Sequence, residues 1–160
     1  MTPSPAATLT APASSRSGAP APVSASVADP VASLLQMLRL TEPLPGFPGH
    51  RDYVLVPAGG AGLLYWLQSA TPEGPRFLTV PAAAYFPDYA PDLPGGACAE
   101  LGLAHPVDAR LYCLVTVPEG DVAAATANLR APLVVNPATG RARQVVLTDG
   151  VHPIRRPMRR

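Results

Sequence analysis

The chain has 160 residues, and its 22 Pro and 13 Gly far exceed the usual roughly 12 % for the pair, which excludes long helices and helical bundles. All eleven acidic residues fall between Asp29 and Asp149 with only seven of the twelve Arg, a body of net −4 that Arg16, Arg155, Arg156, Arg159 and Arg160 bring back to +1. Such a body argues against direct binding of nucleic-acid phosphates and suits a basic protein partner.

Residues 1 to 27 hold 21 Ala, Pro, Ser or Thr, too little apolar surface to offset the entropy of ordering, so a disordered leader is expected over 1–30 and a single domain over 31–158. Neither a basic n-region nor an apolar h-region marks the leader as a signal peptide. The longest apolar run, Ala61 to Leu67, is seven residues against the roughly 20 of a membrane helix. Cys98 and Cys113 form no C-x-x-C pair, and the expectation is a cytoplasmic protein with reduced thiols, not bound to a membrane.

A first strand is predicted from Met37 to Thr41, stopped by Pro43 and Pro45. Tyr53–Val56, Leu63–Leu67 and Arg76–Val80 follow as short β-branched or aromatic runs between turn residues, with Gly59, Gly60 and Gly62 reading as a hairpin turn. Pro81 to Pro94 has neither period and reads as an ordered loop. Ala97–Leu103 reads as one short helix ending near Gly102, and Leu111–Val117 as the strongest strand, with Leu111, Cys113, Val115 and Val117 on one face. Leu133–Asn136 and Gln144–Leu147 read as a hairpin around Asn136-Pro137-Ala138-Thr139-Gly140. Together these predict an all-β fold, a small antiparallel β-barrel-like domain with one short helix.

Chemistry-bearing constellations are lacking in this pattern. His50, His105 and His152 sit in loops without metal-ligand spacing, so solvated histidines and no metal or cofactor are expected. There is no G-x-S-x-G, Ser69 reads as a plain strand end, and Cys113 as a buried small hydrophobe, so no enzyme is expected. A hydrolase or isomerase working through Cys113 is the competing enzymatic reading. The glycines at 59, 60 and 62 join two strands and provide no helix end for a phosphate. The Arg-rich stretch Pro153–Arg160 reads as a solvated tail, and its alternative is a small β-barrel that binds RNA through those arginines.

Several segments in order, among them Pro43-Leu44-Pro45-Gly46-Phe47-Pro48, Phe86-Pro87-Asp88-Tyr89, Asn128-Leu129-Arg130-Ala131-Pro132-Leu133-Val134-Val135-Asn136, Gln144-Val145-Val146-Leu147 and Pro153-Ile154-Arg155-Arg156-Pro157, resemble a FliW-type flagellar assembly factor over about residues 37 to 158. The leader departs from that pattern, as does His152 where an aromatic or small apolar residue is usual. The resemblance implies a monomeric, non-enzymatic β-barrel regulator. It would bind cytoplasmic flagellin and antagonise the translational regulator CsrA, without touching nucleic acid, and so couple flagellin synthesis to assembly. The expected partner-binding residues are Phe86, Asp88, Tyr89, Asn128 and Leu129, with Asp88 and Tyr89 foremost because Tyr85–Tyr89 concentrates aromatics outside a strand. The competing reading makes Phe86 a plug of the barrel end, and Asn128 and Asn136 caps of turns.

Overall fold

A computed structural model describes residues 35–58 and 63–158, so the expected leader and the glycine turn at 59–62 lie outside the described residues. Nine strands follow in order: β1 (Gln36–Leu40), β2 (Asp52–Pro57), β3 (Tyr65–Ser69), β4 (Arg76–Pro81), β5 (Arg110–Thr116), β6 (Thr126–Ala127), β7 (Leu133–Val135), β8 (Arg141–Gln144) and β9 (Arg156–Pro157). Their order is β4-β3-β2-β1-β8-β7-β5, and a β4–β5 ladder joins the two ends, giving a closed barrel of seven strands. Closure removes the unpaired edges that an open sheet exposes. One pairing departs from the antiparallel expectation. The first strand of the barrel, β1, lies parallel to β8, with Arg39 beside Arg141 and Leu40 beside Ala142.

Alternation along each strand fills the interior. Leu38 and Leu40 of β1, Tyr53 and Leu55 of β2, Leu67 of β3, Tyr112 of β5 and Leu133 and Val135 of β7 form one buried cluster. Phe47 packs edge-on against Phe77 at 5.3 Å, and Tyr65 against Tyr112 at 6.0 Å, offset geometries that aromatic quadrupoles favour. The Tyr53 hydroxyl is buried there without a hydrogen-bond partner among the described residues.

Two further cores lie outside the barrel wall. The short helix α1 (Ala82–Tyr85) and the loop after it cover Val80 and Cys113, while α2 (Gly95–Glu100) packs Ala97, Cys98 and Leu101 onto Val134, Val145 and Leu147. β5 and β7 are therefore apolar on both faces. Tyr112 and Leu114 enter the barrel while Leu111, Cys113 and Val115 face outward beneath the cover, so the face chosen from sequence packs against the second layer, with Cys113 fully buried and Leu111 and Val115 half-buried. Where a loop was expected, α1 is a single turn, stopped by Pro87, in which the Phe86 N–H donates to the Ala82 carbonyl at 2.8 Å.

α2 ends in the double hydrogen bond of a Schellman motif. The Leu103 N–H donates to the Cys98 carbonyl at 2.9 Å and the Gly102 N–H to the Ala99 carbonyl at 3.1 Å, with Gly102 at φ +73°. Glu100, unfavourably placed for the helix dipole, is held by Arg143 at 2.9 Å and by the Thr41 hydroxyl.

The second hairpin also starts earlier than expected. Gly140 closes the turn, so pairing resumes at once with Val135 opposite Ala142 and Leu133 opposite Gln144. Val145 and Leu147, expected in the strand, continue the pairing irregularly by donating to the carbonyls of Pro132 and Arg130.

Candidate partner-binding site

The F-P-D-Y loop and the segment 151–158 meet on the outer layer. That segment is not a solvated tail. β9 pairs with β6, Thr126 opposite Pro157 and Ala127 opposite Arg156. The Met158 N–H donates to the Ala125 carbonyl at 3.2 Å, and the Leu129 N–H to the Pro153 carbonyl at 3.0 Å. By the antiparallel alternation, Pro157 takes a position whose missing N–H faces the free edge, where it also discourages further strand addition.

Between the loop and this segment runs a cleft of about 270 Å³, lined by Phe86, Asp88, Tyr89, Leu129, His152 and Arg156 among others. Four of the five expected site residues therefore come together here, in different roles. Phe86 and Leu129 are 7 % and 2 % exposed, and both belong to the core over Cys113, so they build the floor. Tyr89 is locked in place. Its hydroxyl donates to the Leu129 carbonyl at 2.6 Å, and its ring meets the His152 ring edge-on at 5.0 Å. The Arg156 guanidinium lies 5.3 Å over the Phe86 ring. Asp88 stands exposed at the mouth.

Asn128, the fifth, does not line the cleft. Its Oδ1 accepts from the N–H groups of Arg130 at 3.0 Å and Ala131 at 3.1 Å, the turn-capping role that competed with partner contact. Arg130 in turn donates through Nε to the His152 carbonyl at 3.0 Å, tying the turn to the 151–158 segment. His152, expected as a solvated loop residue, has a side chain only 17 % exposed. Its place between Val151 and Pro153, in a segment without helical or strand alternation, gives no periodic signal that it packs on Tyr89.

Burial under the loop pushes the Cys113 thiol up to about 12. It raises the Tyr89 hydroxyl as well, mainly by desolvation, with Cys113 and Asp149 adding smaller contributions. A group whose folded pKa is raised contributes stability below its unfolded pKa and loses it as pH rises toward the folded value. The wild-type domain is therefore expected to weaken from about pH 9 to pH 12, and Cys113→Ala to flatten that decline in a urea-midpoint series. The Cys113 thiol is expected to react with a thiol reagent only as fast as the domain opens, and labelling in seconds under native conditions at pH 8 would contradict the burial.

A serine–histidine contact lies elsewhere. The Ser69 hydroxyl is 3.0 Å from His50 Nδ1, but Ser69 is 5 % exposed and also accepts from the Thr71 N–H at 3.1 Å. This is a locked turn at the end of β3. Sequence reading missed it because the two residues are nineteen apart and meet only through the β2–β3 ladder. Among the described residues, no three His, Cys, Asp or Glu side chains are grouped to hold a metal ion, and no helix is long and apolar enough to cross a membrane.

The profile of the FliW protein family matches residues 30–158. The chain belongs to the FliW family. It is 40 % identical over 114 residues to the flagellar assembly factor FliW of Symbiobacterium thermophilum, covering 71 % of this chain and 82 % of that one. It is 35 % identical over 111 residues to the FliW of Moorella thermoacetica, covering 69 % and 70 %. A crystal structure of the flagellar assembly factor FliW superposes with a TM-score of 0.68 at 29 % identity, over 77 % of this chain and 85 % of that one. The seven-stranded barrel is thus a FliW fold, and the family is one of flagellar assembly factors.

Proposed function

We propose that the protein binds cytoplasmic flagellin and antagonises CsrA, so that flagellin synthesis follows flagellin assembly. The observation that carries this reading is the cleft between Tyr85–Tyr89 and the 151–158 segment, where Asp88 is presented over a floor of Phe86 and Leu129. Aromatic side chains held rigid by packing are the usual anchors of protein interfaces, because they lose little further entropy on binding. The excess of acid over base between Asp29 and Asp149 suits a basic RNA-binding partner such as CsrA. Flagellin and CsrA would be linked by unfavourable coupling, each lowering the affinity of the protein for the other. The protein acts as a cytoplasmic monomer and turns over no substrate in this reading.

Co-elution of the full chain with flagellin from its own organism is the expected result, with release of CsrA when flagellin is added. Asp88→Arg is expected to weaken one of the two complexes by about tenfold while leaving the melting temperature within about 2 °C, since Asp88 is exposed and unpaired. No flagellin complex at micromolar concentrations would sink the reading. The alternative, RNA binding through the arginines at 155–160, is disfavoured because Arg156 is committed to β9 and the Phe86 ring.

A further inference from the structure

Tyr89 also lines a second and larger cleft, about 650 Å³, whose walls are mostly apolar: Ala82 and Ala83 of α1, Pro91, Leu93 and Val107. Val107 is 85 % exposed, an unusual position for a large aliphatic side chain. Three aspartates adjoin these walls in sequence: Asp88 beside Tyr89, Asp92 between Pro91 and Leu93, and Asp108 beside Val107. All three are exposed, and none has an ion-pair or hydrogen-bond partner among the described residues.

Most of the other described carboxylates are occupied, Glu73 and Glu119 being the exceptions. Asp52 pairs with Arg39, Glu42 and Glu100 share Arg143, Asp121 caps the Ala123 N–H, and Asp149 accepts from the Val151 N–H. Glu73 and Glu119 stand in turns at positive φ. Arg110 is the cation lining the cleft, and the Tyr112 hydroxyl engages its side chain. The cleft therefore combines an apolar trough with a rim of net negative charge, three exposed aspartates each one residue from its lining against one lining cation, Arg110. An anionic lipid surface or a nucleic acid would be repelled by that rim.

We propose that this cleft docks a segment of a protein partner in which an apolar anchor is flanked by Arg or Lys. The anchor gains the burial of Val107 and the trough, and the flanking cations find the three free aspartates, which sets orientation and speeds encounter. It is a separate surface from the aromatic cleft, sharing with it the Tyr89 wall, while Asp88 lines the aromatic cleft and adjoins this one in sequence.

The test uses the full chain and a fluorescent octapeptide of four central leucines with two arginines at each end. Two controls replace the leucines by serine or the arginines by glutamate. The leucine–arginine peptide is expected to bind, and to weaken at least about tenfold between low salt and about 0.5 M salt as the exposed charges are screened. D92N/D108N, which leaves Asp88 in place, is expected to weaken binding at least about fivefold, and Ala83→Arg to abolish it by filling the trough. Both variants change exposed residues, and unchanged melting curves will verify their folds. Equal binding of the serine peptide, or equal binding by D92N/D108N, overturns the proposal. So does sedimentation showing that a second copy of the chain fills the cleft, with self-association lost in Ala83→Arg. Flagellin binding by D92N/D108N, measured in parallel, separates failure here from failure of the aromatic cleft.

Discussion

Gly140→Ala is expected to destabilise the domain by about 3 kcal/mol, one of the largest single-residue effects in the barrel outside its apolar interior. Two causes add. Gly140 holds φ +82°, the left-handed region, which costs an alanine about 1 kcal/mol. A Cβ there would also lie 2.6 Å from the Met37 carbonyl oxygen. That carbonyl belongs to β1, and the Arg39 N–H donates to the Gly140 carbonyl at 2.9 Å, so neither backbone can withdraw without loosening the parallel β1–β8 seam. Gly102→Ala separates the causes. Gly102 has φ +73°, but its nearest neighbour to a new Cβ is Asn136 Nδ2 at 3.7 Å, an ordinary contact. It is expected to lose only the conformational part, about 1 kcal/mol. Urea midpoints with unchanged slopes measure both. Equal losses at the two positions would show that the seam yields freely and that the collision carries no weight.

The same seam shows where the sequence was legible and where it was not. β2, β3, β4 and β5 announce themselves by aromatic and β-branched residues between turn signals, and their observed bounds lie within about two residues of the expected ones. β8 does not. Arg141-Ala142-Arg143-Gln144 has weak strand preference, and it becomes a strand because the Gly140 turn hands it to β7 on one side and β1 to the other. β9 is hidden for the same reason, since two residues rich in charge and proline are a strand only in the presence of β6. α1 offers a single turn, too short for a helical period to register.

The candidate site divides along the same line. The aromatic density of Tyr85–Tyr89 was visible locally, but its partner wall at His152–Arg156 was not, because it arrives by a ladder between residues about thirty apart. Phe86 and Leu129 illustrate the ambiguity that follows. A residue that a motif marks for binding and one that it marks for packing look alike in sequence, and only burial distinguishes the floor of a cleft from its contacting rim.

Asn136 is a case where the packing role is strong enough to predict a large loss. Its side chain is buried at 6 % exposure and uses both ends of the amide. Nδ2 donates to the Leu101 carbonyl at 2.8 Å, and Oδ1 accepts from the Ala138 N–H at 3.0 Å. The first bond serves one of the carbonyls that the end of α2 leaves open, thirty-five residues away, and so pins the outer helix to the barrel hairpin. The second shapes the turn that places Gly140. Asn136→Ala would leave the Leu101 carbonyl buried without a partner and is expected to cost about 2–3 kcal/mol. Asn136→Asp keeps the shape and the turn acceptor but sets a carboxylate oxygen against that carbonyl, so at neutral pH it is expected to be at least as damaging as the alanine. Hydrogen exchange should show where the loss falls: the amides of Gly102 and Leu103, which close the α2 end, exchange earlier than those of β2 and β3. An alanine variant within about 0.5 kcal/mol of wild type, or an aspartate variant that matches it, would mean that the amide does not carry the helix-to-hairpin link.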